Sequence, residues 1–389
     1  EMRDAQQRAA TEFAPGFSLL PSTVSVVSPQ VTVGGKRLHD VVFGATRVEG
    51  FWRANIGARE VNGFFNWREP APGQRIGTLT ARFARLEIPK ARASEFESLL
   101  DTSPDELPAL DIAAEELVLG DRRLGAMSLK ATNGGTAALP VWRLDELKVN
   151  NPAAALSARG TWAPARAGSP RATTLDFELE VADAGALLGV YGLHQALKGG
   201  IGEVAGSLRW QGSPLAIDYP SLTGNMHLQV GKGQFLKTEP GLAKLIGVLS
   251  LQSLPRRLSL DFRDVFAEGF AFDDISADVQ VQAGIARTDN FQMRGAQAQV
   301  DIRGVASLAS ETQSLEVAVR PEFNAGLASL AYAALANPVI GLGTFVAQFV
   351  LRRPLQQLLS YEYAVSGSWA DPVVSERRRQ IVAPTRIVE

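Results

Sequence analysis

Residues 175–181 read Leu-Asp-Phe-Glu-Leu-Glu-Val (LDFELEV), apolar at every odd position and acidic at every even one. Successive side chains of an extended chain point to opposite faces, so this stretch is a strand with one apolar face and one wet face. The same period recurs at Leu258, Leu260 and Phe262, at Ala277, Val279 and Val281, and at Ala298, Val300 and Ile302. It returns at Leu315, Val317 and Val319, and at Tyr361, Tyr363 and Val365. The 36 glycines and 21 prolines fall mostly between such runs, as turn residues. Alternation of this kind marks antiparallel strands solvated on one side, and about fourteen strands are expected along the chain.

The chain has 389 residues, enough for one large domain or two to three ordinary ones. With 21% charged residues and a net charge of −2, it lacks the basic excess that a nucleic-acid partner requires. The absence of cysteine excludes disulfides and thiolate metal sites. The opening EMRDAQQRAATEF contains no basic stretch followed by an apolar one, so any targeting segment is expected upstream of it.

The strands repeat. Leu20-Pro21 opens a block that passes through Gly34-Gly35-Lys36-Arg37-Leu38 and Trp52-Arg53 and closes on Gly63, Trp67 and Pro70. Leu107-Pro108 opens another, through Gly120-Asp121-Arg122-Arg123-Leu124 and Trp142-Arg143 to Gly160, Trp162 and Pro164, the offset drifting from 87 to 95 residues. The closing glycine, tryptophan and proline return at Gly206, Trp210 and Pro214, and at Gly367, Trp369 and Pro372. Repetition of one sheet unit implies an elongated body.

Three apolar segments interrupt the alternation and read as helices. Ala184–Leu197 follows Asp183, a good N-cap, and ends at Gly199-Gly200; Gly241–Leu254 lies between Pro240 and Pro255. The third, Ala325–Leu351, is uncharged and longer than the ~20 residues of a spanning helix. Asn337-Pro338 divides it, and each half then reaches only about 20 Å at ~1.5 Å per residue. Leu342, Phe345, Val346, Phe349 and Val350, followed by Arg352 and Arg353, therefore read either as a buried hairpin or as a lid or membrane-dipping tip.

Reactive chemistry is not legible. His39, His194 and His227 are far apart and lack ligand spacing, and each is expected on a surface turn, helix or strand. Gly200-Ile201-Gly202 and Ala205 match a loose dinucleotide pattern in the reverse structural context. Asp273-Asp274 is expected at a solvated turn. No nucleophile elbow or phosphate loop occurs, and no catalytic residue, cofactor or metal is expected.

Sheets with this pattern can close, form a sandwich, or stay open as a trough with an apolar lining. About fourteen strands in one open sheet would make a trough ~65 Å long. Its lining would include Leu175, Phe177, Leu179, Leu258, Leu260, Phe262, Val279, Val281, Val300, Ile302, Leu315 and Val317. Such a lining is unstable in water unless covered or filled.

The run Lys198-Gly199-Gly200, Gly206 to Pro214, Ser221 to Asn225, Gly231 to Phe235, Leu249 to Leu258 (LSLQSLPRRL) and Gly269 to Phe272 resembles the C-terminal region of the YhdP branch of the AsmA-like family. Arg287 to Asn290 and Ser360 to Pro372 fit the same region, and the likeness is stronger over 183–374 than over 20–182. The resemblance implies a mainly β, taco-like antiparallel groove with a few short apolar helices at its C-terminal end. It divides the chain into a polar lead-in (1–19), repeated groove units (20–182), a C-terminal groove with apolar helices (183–374) and a polar tail (375–389). It also implies a longer parent chain held in the inner membrane by an N-terminal helix, and a periplasmic conduit that carries phospholipid. This chain would be the end near the outer membrane. An envelope scaffold binding a protein partner is the alternative.

Overall fold

The computed structural model describes residues 22–33, 36–70, 77–88, 107–136, 139–194, 196–214, 216–236, 270–296, 298–321 and 361–377. Five strands follow the first Leu-Pro: β1 (Thr23–Val33), β2 (Lys36–Val48), β3 (Phe51–Gly57), β4 (Val61–Arg68) and β5 (Thr78–Ile88). Five follow the second: β6 (Ala109–Leu119), β7 (Arg122–Gly135), β8 (Pro140–Asn151), β9 (Ala154–Pro164) and β10 (Arg171–Val181). After a short helix, α1 (Ala184–Val190), come β11 (Leu197–Gly199), β12 (Gly202–Gln211), β13 (Thr223–Phe235) and β14 (Phe270–Gln282). The last strands are β15 (Ile285–Arg294), β16 (Ala298–Ser307), β17 (Thr312–Pro321), β18 (Tyr361–Ser368) and β19 (Pro372–Arg377).

All nineteen belong to one open sheet. Sequence neighbours pair antiparallel almost throughout, as the wet-on-one-side alternation requires. Two joints depart from this. β10 skips the three-residue β11 to pair with β12, while β11 extends the same edge along the far end of β13. At the boundary between the two five-strand blocks, β5 and β6 are parallel, Ala81 lying opposite Ile112. Among the described residues β1 and β19 each have one neighbour, so the sheet does not close. At ~4.8 Å per spacing, β1 and β19 are roughly 80 Å apart along the sheet.

The sheet is larger than the fourteen strands expected from alternation. Several strands escape a period-2 reading because they carry bulges, at Asn62/Gly63, Ala114/Leu117, Lys130/Ala131 and Leu144/Leu147. Each extra residue shifts the apolar positions by one. Two local expectations are also corrected. The helix expected over 184–197 ends at Val190: Asp183 does cap it, accepting from the Ala186 N–H at 2.9 Å, but Gly192 takes a φ of +86° and Leu197 has already joined the sheet. Asp273-Asp274 lies inside β14 and not at a turn. There the parity of the buried positions changes, Phe270 and Phe272 being buried before it and Ile275 and Ala277 after it, although Phe270, Phe272 and Ile275 share one cluster. Two adjacent carboxylates mark that switch, and Asp274 is held by Arg294 at 2.9 Å. The helices expected at 241–254 and within 325–351 lie outside the described residues. No helix among the described residues is long and apolar enough to cross a membrane.

Candidate functional site

Residues directly opposite one another in a sheet share a face, so the registers can be followed from strand to strand. One row runs Val24, Ala45, Ala54, Phe65, Ala81, Ile112, Leu129, Leu147, Ala158, Phe177, Gly206, Met226, Val279. No polar side chain interrupts it from β1 to β14, and it crosses the parallel joint without changing side. The row one residue along runs Ser25, Gly44, Asn55, Phe64, Arg82, Ala113, Ser128, Lys148, Ser157, Glu178, Ala205, His227, Asp278 on the opposite face. The sheet is thus apolar on one side and polar on the other from β1 to β14.

On the apolar side the small residues are covered by their large neighbours: Ala54, Ala81 and Ala114 are buried. The large ones, Phe65, Ile112, Leu129, Leu147 and Phe177, remain partly exposed. One margin of this face is built from indoles. Trp52 lies opposite Trp67 in the first block and Trp142 opposite Trp162 in the second, so the repeated tryptophans of the sequence are cross-strand partners. Thr173 and Trp210 continue the second row. Trp142 donates its Nε1–H to the Pro108 carbonyl at 3.2 Å and Trp210 to the Ser213 carbonyl at 2.9 Å, which ties the strand ends to their turns. The glycine that precedes Trp162 has its own cause: a Cβ on Gly160 would stand 2.2 Å from the Thr174 carbonyl oxygen of the neighbouring strand.

The polar side carries cross-strand ion pairs, among them Arg82 with Asp111 at 2.9 Å and Arg85 with Glu116 at 2.6 Å. Both strand histidines are paired, His39 with Glu60 at 2.6 Å and, on the polar side, His227 with Asp278 at 2.8 Å, while His194 is exposed beyond α1. Burial opposes ionisation of Glu60, but the His39 side-chain and backbone hydrogen bonds outweigh it and leave the carboxyl below its ordinary range. Asp278 is held low by hydrogen bonds from His227 and Asn290. No group of three or more His, Asp or Glu able to hold a metal occurs among the described residues.

Of the lining residues expected from sequence, Leu175, Phe177, Leu179, Val279, Val281, Val300, Ile302, Leu315 and Val317 all lie on the apolar side. They differ in exposure. Val281, Val300 and Val317 are 2%, 0% and 6% exposed, whereas the other six are partly exposed. Leu258, Leu260 and Phe262 lie outside the described residues, as do Leu342, Phe345, Val346, Phe349, Val350, Arg352 and Arg353. Sequence reasoning missed Phe65, Ile112, Leu129 and Leu147. The repeated Trp pair was a signal for Phe65 alone, which shares the parity of Trp67; the bulge between Leu144 and Leu147 puts Leu147 out of step with Trp142, and Ile112 and Leu129 lie on strands without a tryptophan.

The family model described as YhdP protein matches residues 3–374. The chain belongs to the YhdP family. The match takes in both five-strand blocks as well as the region after α1, and it ends within β19. Among curated members of the YhdP family, the intermembrane phospholipid transporter YhdP of Escherichia coli (strain K12) is 25% identical over 381 residues. That alignment covers 96% of this chain and 29% of the relative, so the chain spans less than a third of that YhdP. No solved structure matches the chain.

Proposed function

We propose that the apolar side of the sheet carries the acyl chains of phospholipid across water as part of a longer transporter, without catalysing a reaction. The observation that supports this best is the unbroken apolar row from Val24 to Val279, with its large side chains left partly exposed. Each methylene taken out of water is worth about 0.8 kcal/mol, so a bare acyl chain of some sixteen carbons faces a barrier on the order of 10 kcal/mol. A continuous apolar surface removes most of that barrier at every step, and the polar side keeps the sheet itself soluble. A scaffold needs only a packed core and gives no reason for leaving Phe65, Leu129, Leu147 and Phe177 partly uncovered. Kinship with an intermembrane phospholipid transporter supports phospholipid as cargo. The resemblance to the C-terminal region of the family supports the further placement: a periplasmic chain near the outer membrane, anchored in the inner membrane by an upstream segment. In this reading 20–182 supplies repeated groove units and 183–374 the terminal groove, with the segment ending at Arg352-Arg353 as its membrane-facing tip. Benzophenone probes at Leu147 and Lys148, neighbours on opposite faces, test the path in the full-length protein. Ultraviolet irradiation should attach phospholipid at position 147 and not at 148; equal capture at the two positions would refute the proposal.

A further inference from the structure

Burial on the apolar side is not uniform: in β6 to β9 the buried residues fall into two small clusters, Ala114 with Leu117 and Met127, and Ala131 with Trp142, Leu144 and Trp162, whereas beyond β13 they merge into one large cluster. From β3 to β13 the large side chains of the central row are partly exposed, ending with Phe177 on β10 and Met226 on β13. Beyond it Val279, Phe291, Ile302 and Leu315 are still partly exposed, but the row beside them is closed: Ile275, Met293, Val300, Val319, Tyr363 and Val365 are 7%, 3%, 0%, 1%, 3% and 1% exposed. These belong to one cluster that joins β14, β15, β16, β17 and β18, and the cluster also takes in Leu197, Phe270 and Phe272. Strand chemistry does not account for the difference, since valine, leucine and methionine line both regions. Met226 and Met293 make the point within three adjacent strands: each lies beside β14 on the same face, opposite Val279 and Ile275 respectively, yet one is accessible and the other is not.

The large cluster begins where the parity of the buried positions changes in β14. Phe272 lies over Gly233, where a Cβ would stand 2.6 Å from the phenyl ring, and stacks at a tilt on Phe235 with ring centroids 5.3 Å apart. Ala184 and Leu188 of α1 pack against the same cluster. Side chains from five strands, a helix and the short β11 therefore occupy the volume that an acyl chain would need.

Resting on the function proposed above, we infer that the acyl-chain-binding surface of this chain is the side formed by β1 to β13, and that β14 to β18 close the terminal groove of 183–374 as a packed end wall. A lipid chain that reaches Met226 meets protein already at core density. Interiors packed to that density leave no room for an added chain without displacing side chains. The lipid therefore leaves this surface over a margin of the sheet and does not slide off its last strand.

The test maps contact without changing side-chain size. The full-length protein is produced with the photoreactive diazirine analogues of leucine and methionine in place of those residues. It is incubated with vesicles of phosphatidylethanolamine and phosphatidylglycerol, irradiated, digested and mapped by mass spectrometry. Lipid adducts are expected on the peptides that carry Leu129, Leu147 and Met226, and only background labelling on the one that carries Met293. Adducts at Met293 in a yield matching Met226 would overturn the end wall while leaving the lipid path intact. Absence of adducts at Leu129, Leu147 and Met226 would overturn both.

Discussion

Gly233 and Gly44 are both strand glycines, and only one has a neighbour that forbids a side chain. A methyl group at 233 would drive into the Phe272 ring, whereas nothing lies within 4 Å of the corresponding position at 44. Gly233→Ala should therefore lower stability by about 1–3 kcal/mol, the usual cost of overpacking. Gly44→Ala should leave the urea midpoint unchanged or raise it, because alanine loses less backbone entropy on folding. Equal midpoints for the two variants would mean that Phe272 is free to move aside. Glu60 gives a pH signature. Its carboxyl titrates below the ordinary value of 4.5 in the folded protein, so its contribution is complete above that value and disappears as pH falls through the lower, folded one. Glu60→Gln should be less stable than wild type at neutral pH, with the gap closing below about 4.5 in a series of thermal melts. A gap that stays constant into acid would show that the His39 contacts do not favour the charged form.

At the scale of elements, the paired tryptophans carry the two five-strand blocks. Trp142 and Trp162 are buried and share one cluster with Ala131 and Leu144. Replacing each by leucine, singly and together, should reveal a coupling of about 0.5–3 kcal/mol, since neighbours that share a cavity do not add. Purely additive losses in the double variant would show that the two indoles act on separate surroundings. The repeat behind this pairing was readable from the recurrence of Trp-Arg and of a glycine, a tryptophan and a proline in that order, although the pairing itself was not, and parity agrees with the common side of Leu175, Val279 and Ile302. What parity does not encode is direction. An alternating strand wet on one face looks the same whether its neighbour runs parallel or antiparallel, so the β5–β6 joint left no trace in the residues. Bulges hid further strands because an extra residue breaks the period that announces a strand. The shortened α1 went unseen for a related reason: Gly192 stops it with a left-handed φ in the middle of an otherwise apolar run.

For the molecule as a whole, the sequence foretold an apolar side but not which part of it is buried. Alternation says that Val300 and Leu147 face the same medium in principle; what covers each depends on partners far away in the chain. Val300 is enclosed by Met293 and Val319 from adjoining strands and by the Phe270 cluster, an arrangement set by tertiary packing. The parallel joint has its own consequence, in time and not in space. Every other contact between successive long strands is a hairpin or a loop that returns to its neighbour, so β1 to β5 and β6 to β10 can each zip up from local turns within microseconds to milliseconds. β5 ends at Ile88 and β6 starts at Ala109, at opposite ends of the paired strands, and no tight turn can join them in parallel register. That register forms only when a completed β5 offers its edge to a completed β6. The seam at which the two blocks meet is then the last part of the first ten strands to assemble, and until it does each block exposes an unpaired edge to any other chain emerging beside it.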